Sequence, residues 1–247
     1  MALTISRRAM LVGTLGEGLR APAQQKRVPD RLVVLTFDDG PVSHATYVAP
    51  LLKKYGFGAT FFVCEFPPHF DDKTLYMSWE QIASLHKMGF EVGNHTISHR
   101  NVTRQTRARF LADLQALEEK AYALGVAKMV SFAYPGYANN SAAVEVLKER
   151  GYKFARAGLD RIYNLATDDR YIIPSLTTRT DNRDKVIDLF RSAENGRIAV
   201  LTVHGVPDKE HPWVTTPPEL FEEYLNFLQE NRYKAIAMRD LANYLPV

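Results

Sequence analysis

From Arg31 onward, short runs rich in Val, Leu and Phe alternate with amphipathic stretches, and this alternation constrains the fold more than any other feature. Seven candidate strands are read at 32–37, 58–63, 90–94, 129–134, 152–157, 197–203 and 234–238. Between them, 78–88, 103–124, 141–150, 183–194 and 217–231 carry apolar residues at helical spacing. Ser78 with Gln81 three positions on has the form of a capping box, and Gly89, Gly125 and Gly151 fall just past helix ends. Such alternation predicts parallel strands with right-handed crossovers, in a closed barrel or a doubly wound sheet. Seven strands in one α/β domain at 31–247, with no internal repeat and no linker, favour the barrel. The least regular region, 160–182, reads as a long loop with one short strand at 171–173.

The first run, Leu-Val-Val-Leu-Thr-Phe, suits a strand buried on both faces, and it ends on two adjacent carboxylates, Asp38 and Asp39. Successive strand residues point to opposite sides, so the pair can share one orientation only if the backbone turns, and Gly40-Pro41 supplies a turn. A turn followed by a helix capped by Ser43 would explain the pair alone. A second stretch points elsewhere: in Asn94-His95-Thr96-Ile97-Ser98-His99 two imidazoles stand four residues apart, about one helical turn, so both can reach one ion. A carboxylate from one strand end and two histidines from another make a facial set of three ligands, the arrangement of a hydrolytic site.

Tyr134-Pro135-Gly136 and His204 also follow candidate strands, so the unusual residues collect at the C-terminal strand ends, where barrel enzymes build their sites. The other histidines, at 44, 69, 86 and 211, read as surface residues, with His44 notable for standing near the Asp pair. Cys64, the single cysteine, permits no intrachain disulfide and reads as a small buried hydrophobe. The net charge of +3 comes without a basic stripe, so nucleic acid is not implied, and the apolar runs are too short for a transmembrane segment. Residues 1–30 read as a leader: Ser6-Arg7-Arg8 resembles a twin-arginine export signal and Ala21-Pro22-Ala23 a cleavage site, although Glu17 and Arg20 interrupt the apolar segment. A periplasmic or secreted location is the expectation, a disordered leader on a cytoplasmic protein the alternative.

With these residues in place, the chain resembles the polysaccharide deacetylases of the NodB-homology type, carbohydrate esterase family 4. Thr36-Phe37-Asp38-Asp39-Gly40 matches that family's first motif and His95-Thr96-Ile97-Ser98-His99 its second; Phe132-Ala133-Tyr134-Pro135-Gly136-Tyr137 occupies the place of the third, and Leu201-Thr202-Val203-His204 matches the last. The resemblance runs from about Val34 to Leu245. It implies a distorted (β/α) barrel of about seven parallel strands and a divalent metal held by Asp39, His95 and His99, zinc first, with cobalt, manganese or nickel as alternatives. It implies Asp38 as catalytic base, His204 as catalytic acid and the Gly136 backbone N–H as oxyanion donor, with Tyr134, Pro135, Tyr137 and Leu201 against the substrate. Trp213 is read as a stacking surface for a sugar ring or a cover over the acetyl pocket, with packing against the next helix as the alternative. Thr96 and Ser98 are read as turn caps or, alternatively, as orienting groups.

Two departures stand out. The family's third motif carries an Arg that braces the base carboxylate, where this chain has Ala133; its fourth brings an Asp and a Trp, whereas 154–160 here is Phe-Ala-Arg-Ala-Gly-Leu-Asp. Arg156, at the end of the fifth strand, is the candidate replacement for the missing cation, against the alternative of a surface Arg. The function expected is metal-dependent removal of an N-acetyl, or O-acetyl, group from a carbohydrate, with a small non-sugar amide or a carbohydrate-binding pseudoenzyme as alternatives. Nothing in the pattern fixes the oligomeric state.

Overall fold

Strand β1, Leu32–Phe37, is buried at all six positions because it is walled on both faces. Leu32 and Val34 join Phe62, Ala133, Phe154, Ile173, Ile198 and Val200 in an interior cluster, while Val33, Leu35 and Phe37 pack outward with the helices. In this computed structural model, residues 27–66 and 68–245 are described. The twin-arginine-like stretch and the cleavage-like site lie outside them.

The alternation closes into a ring of seven parallel strands: β1, β2 (Thr60–Val63), β3 (Glu91–Asn94), β4 (Ser131–Ala133), β5 (Phe154–Leu159), β7 (Ile173–Thr177) and β8 (Arg197–Val203), which returns to β1. Val33↔Ala199 through Phe37↔Val203 close the seam in register. Among the described residues two strands lie outside the ring: β6 (Tyr163–Asn164) runs antiparallel to β8, and β9 (Lys234–Ile236) pairs with the first half of β1. Around the ring stand α1 (Ala49–Tyr55), α2 (Trp79–Lys87), α3 (Arg107–Ala123), α4 (Ser141–Arg150), α5 (Arg183–Arg191) and α6 (Pro218–Glu230). Ser78 makes the expected capping box with Gln81, and Gly89, Gly125 and Gly151 all take positive φ. No described helix is long and apolar enough to cross a membrane.

The barrel is thus the expected one, but one of its staves is not. The segment expected as the seventh strand, 234–238, is the shorter β9 outside the ring. The vacant place is taken by β7, of which only a stub at 171–173 was expected. Its sequence, Ile-Pro-Ser-Leu-Thr, lacks a β-rich run because Pro174 breaks the pattern, while Ser175 and Thr177 are polar though buried.

The two barrel ends differ in chemistry. At the lower end, Met238 and Leu241 of the C-terminal 3₁₀ turn join the interior cluster, and buried Glu91 accepts from Thr60 Oγ1 (2.7 Å) and the Arg239 N–H (2.8 Å). The upper end stays polar, with Thr36, Arg156, Ser175 and Thr202 all buried.

Candidate active site

Beyond Phe37 the alternation of β1 carries Asp38 inward, and its N–H adds a last rung to the seam by donating to Val203 O at 2.9 Å. Asp39 would then point outward. It does not, because Asp39 and Gly40 adopt consecutive left-handed conformations, φ +70° and +72°, which turn the second carboxylate back to the barrel mouth. A left-handed φ is uncommon for a residue with a side chain, and such strain concentrates at functional sites.

The histidine pair converges by a different route from the helical turn its spacing suggests. Residues 95–99 form a loop after β3, with Thr96 at φ +60° and His99 at φ +51°. Asn94 pins it from below: its Oδ1 accepts from the Thr96 N–H at 2.8 Å and its Nδ2 donates to Tyr152 Oη at 2.7 Å. Ser98 Oγ donates to Asp113, and the Asp113 carbonyl accepts from the Ile97 N–H. Thr96 Oγ1 is buried without a hydrogen-bond partner.

His95 Nδ1 donates to Ala133 O at 2.8 Å, which leaves the Nε2 lone pair facing Asp39 Oδ1 at 3.3 Å. His99 Nε2 lies 3.2 Å from the same oxygen. The three ligand atoms fall within 4.8 Å of one another, and Asp39 Oδ1 is buried with no hydrogen-bond partner. Burial acts to raise the Asp39 pKa, but the imidazoles of His95 and His99 set against the carboxylate, with the charge on His204, outweigh it and hold the carboxyl well below its ordinary range. Burial acts to lower the His95 pKa; the Asp38 and Asp39 charges reverse this and raise it. Two imidazoles gathered round one orphaned carboxylate oxygen fit a divalent cation in chemistry and spacing.

Arg156 is neither at a strand end nor at the surface. It stands in the middle of β5, wholly buried, with Nη2 2.5 Å from Asp38 Oδ2 and Nη1 2.8 Å from Thr202 Oγ1. The rings of Phe62 and Tyr137 lie 5.5 and 5.4 Å from the guanidinium carbon. Its register partner on β4 is Ala133, so the cation sits one strand away from where the resemblance places an Arg. His204 follows β8 with Nε2 3.8 Å from Asp39 Oδ2 and with Nδ1 buried and unpartnered.

Strand parity separates the expected substrate contacts. Tyr134 and Leu201 are buried in the strand–helix layer, Tyr134 donating from its hydroxyl to Tyr171 O, so neither faces the mouth. Pro135 is buried as well. Gly136 (φ +60°) is exposed, and Tyr137 is half-buried beside Arg156 with its hydroxyl 2.6 Å from Thr177 Oγ1. Trp213 is 67% exposed on a 3₁₀ turn, edge-on to His211, whose ring meets Phe66, which in turn packs on His99. Cys64 is buried, as expected.

His44 was expected at the surface and is fully buried, its Nε2 2.8 Å from the His204 carbonyl. The signal was present: His44–Val48 is a single π-helical turn that runs into α1, and residues 44, 48 and 52 share its apolar face, all buried. Thr202 was also missed, although it shares the parity of His204. His211 is half-buried against Asp208, His86 is half-buried and His69 exposed.

A family profile described as polysaccharide deacetylase matches residues 25–155. Over 125 residues the chain is 29% identical to a peptidoglycan-N-acetylglucosamine deacetylase of Bacillus cereus, an alignment covering 50% of this chain and 55% of that one. The matches span about half the length of the first curated relatives. Among solved structures, Bacillus subtilis PdaA, a family 4 carbohydrate esterase, superposes with a TM-score of 0.60 at 19% identity, covering 88% of this chain and 83% of PdaA. BA3943 of Bacillus anthracis, described as a CE4 family pseudoenzyme, gives a TM-score of 0.60 at 18% identity, covering 92% of this chain and 70% of that one.

Proposed function

The chain belongs to the polysaccharide deacetylase family, and from that premise we propose that it hydrolyses an acetamido, or O-acetyl, group on a carbohydrate polymer and releases acetate. The observation that carries this reading is the convergence of Asp39, His95 and His99 beside Asp38 and His204 at one barrel mouth. Asp39, His95 and His99 would hold a divalent cation, zinc first, whose contribution when bound is Lewis-acid polarisation of the scissile carbonyl.

The chain's own residues divide the proton transfers. Asp38, held by Arg156, takes a proton from the attacking water as its oxygen adds to the acetyl carbon. The Gly136 N–H stabilises the developing oxyanion. His204 then gives a proton to the departing nitrogen as the carbon–nitrogen bond breaks, since an amine leaves poorly as an anion. For an ester the same proton goes to the alcohol oxygen.

The presence of a pseudoenzyme among the fold neighbours makes a carbohydrate-binding role the competing reading. Two features favour turnover: an acid and a base are both present, and Arg156 contacts the base although Ala133 occupies the motif position. Acetate release measured on chitin oligomers, peptidoglycan and acetylated xylan decides between them. The proposal expects metal-dependent acetate from at least one; binding without acetate from any of the three would establish the binder instead.

A further inference from the structure

The seam between β1 and β8 ends at the Asp38 N–H to Val203 O bond, so His204 stands one residue past the last rung. A side chain there would swing with its backbone unless something else held it. The His204 carbonyl meets His44 Nε2 at 2.8 Å, and the His44 ring is itself fixed, edge-on to Phe37 at 5.4 Å and tilted against Phe61 at 5.5 Å.

Burial pushes the His44 pKa down to about 4, the nearby Asp208, Asp38 and Asp39 charges only partly opposing it. The ring is therefore neutral near pH 7 and carries one proton. A carbonyl can only accept, so that proton is on Nε2, and Nδ1 is left buried without a partner. An apolar side chain would fill this place without an orphaned nitrogen, so packing alone does not account for a histidine here. The neighbouring residue acts on the same segment: Ser43 Oγ accepts from the Val206 N–H at 3.0 Å.

Resting on the deacetylase reading of His204, we propose that His44 is a positioning residue, which clamps the His204 backbone and so fixes the acid relative to Asp38 and Asp39. Through the Phe37 contact the clamp also ties the strand of the base to that of the acid.

The test compares the full chain with His44→Phe, which keeps a ring and removes the donor, and His44→Gln, whose amide N–H can stand near the place of Nε2. Steady-state kinetics on the substrate that yields acetate should show kcat of His44→Phe lowered about tenfold to a hundredfold with KM unchanged. His44→Gln should recover most of it, and zinc content should be equal in all three. Hydrogen exchange should rise in His44→Phe within 204–208 and stay unchanged within 95–99. Wild-type kcat and exchange in His44→Phe, or His44→Gln as impaired as His44→Phe, overturns the clamp. If the wild type releases no acetate, the deacetylase reading fails, and the exchange comparison still decides whether His44 holds the segment.

Discussion

Arg156 and Ala133 are register partners on adjacent strands, both buried, and the guanidinium that reaches Asp38 comes from the second of those strands. Arg156→Met removes one partner of a buried ion pair, which costs about 3–5 kcal/mol of stability, and should lower acetate release about a hundredfold by loosening the base. Ala133→Arg combined with Arg156→Ala should restore part of the rate; full activity in Arg156→Met would sink the bracing role. At this scale the sequence was informative wherever a residue type is chemically unusual for its place. The Asp pair and the two spaced histidines announced themselves, and Arg156 was reachable through the departure at Ala133. His44 stood out only for its nearness to the Asp pair, although its apolar helical spacing marked it as buried, and Thr202 was not read; neither a histidine on such a face nor a threonine inside a strand carries a local mark of its partner.

Strands and turns decide where these side chains point. Tyr134 and Leu201 sit in plausible stretches but on the wrong parity, and 95–99 gathers its imidazoles through left-handed loop residues instead of a helical turn. Sequence spacing alone does not distinguish those routes, because both bring positions four apart together. The turn after β8 offers a test at this level. A Cβ on Gly205 would lie 2.4 Å from Asp208 Cα, and the Gly205 N–H donates to Asp208 Oδ2 at 3.1 Å. Gly205→Ala must therefore shift backbone: a stability loss of about 1–3 kcal/mol is expected by thermal unfolding, with acetate release falling as His204 moves. An unchanged melting temperature would show that the turn gives way freely.

For the molecule as a whole, the barrel was legible from the count of alternations, yet the count was right with one wrong member, since β7 hid behind Pro174 and two buried polar residues while β9 lies outside the ring. Acid stability is a property at this scale. The His44 pKa is about 4 when folded against an ordinary 6.5, so the unfolded chain binds the proton more readily. This contribution is whole above pH 6.5 and is lost as pH falls toward 4, at about 1.4 kcal/mol per unit, or about 3 kcal/mol in all. Glu91 has the opposite sign: burial raises its pKa, so its contribution is present at low pH and fades as pH rises through the folded value. Equilibrium unfolding from pH 8 to 4 should therefore fall more steeply for the wild type than for His44→Gln; parallel curves would place the acid sensitivity elsewhere.

The claim on which the functional reading rests is that Asp39, His95 and His99 share one ion, and metal analysis after zinc loading and dialysis tests it directly. The wild type and Asp38→Asn should each retain about one zinc per chain, with acetate released by the first and not the second, while His99→Ala should retain none. A wild type that holds no metal, or a His99→Ala variant that holds as much, would contradict the account.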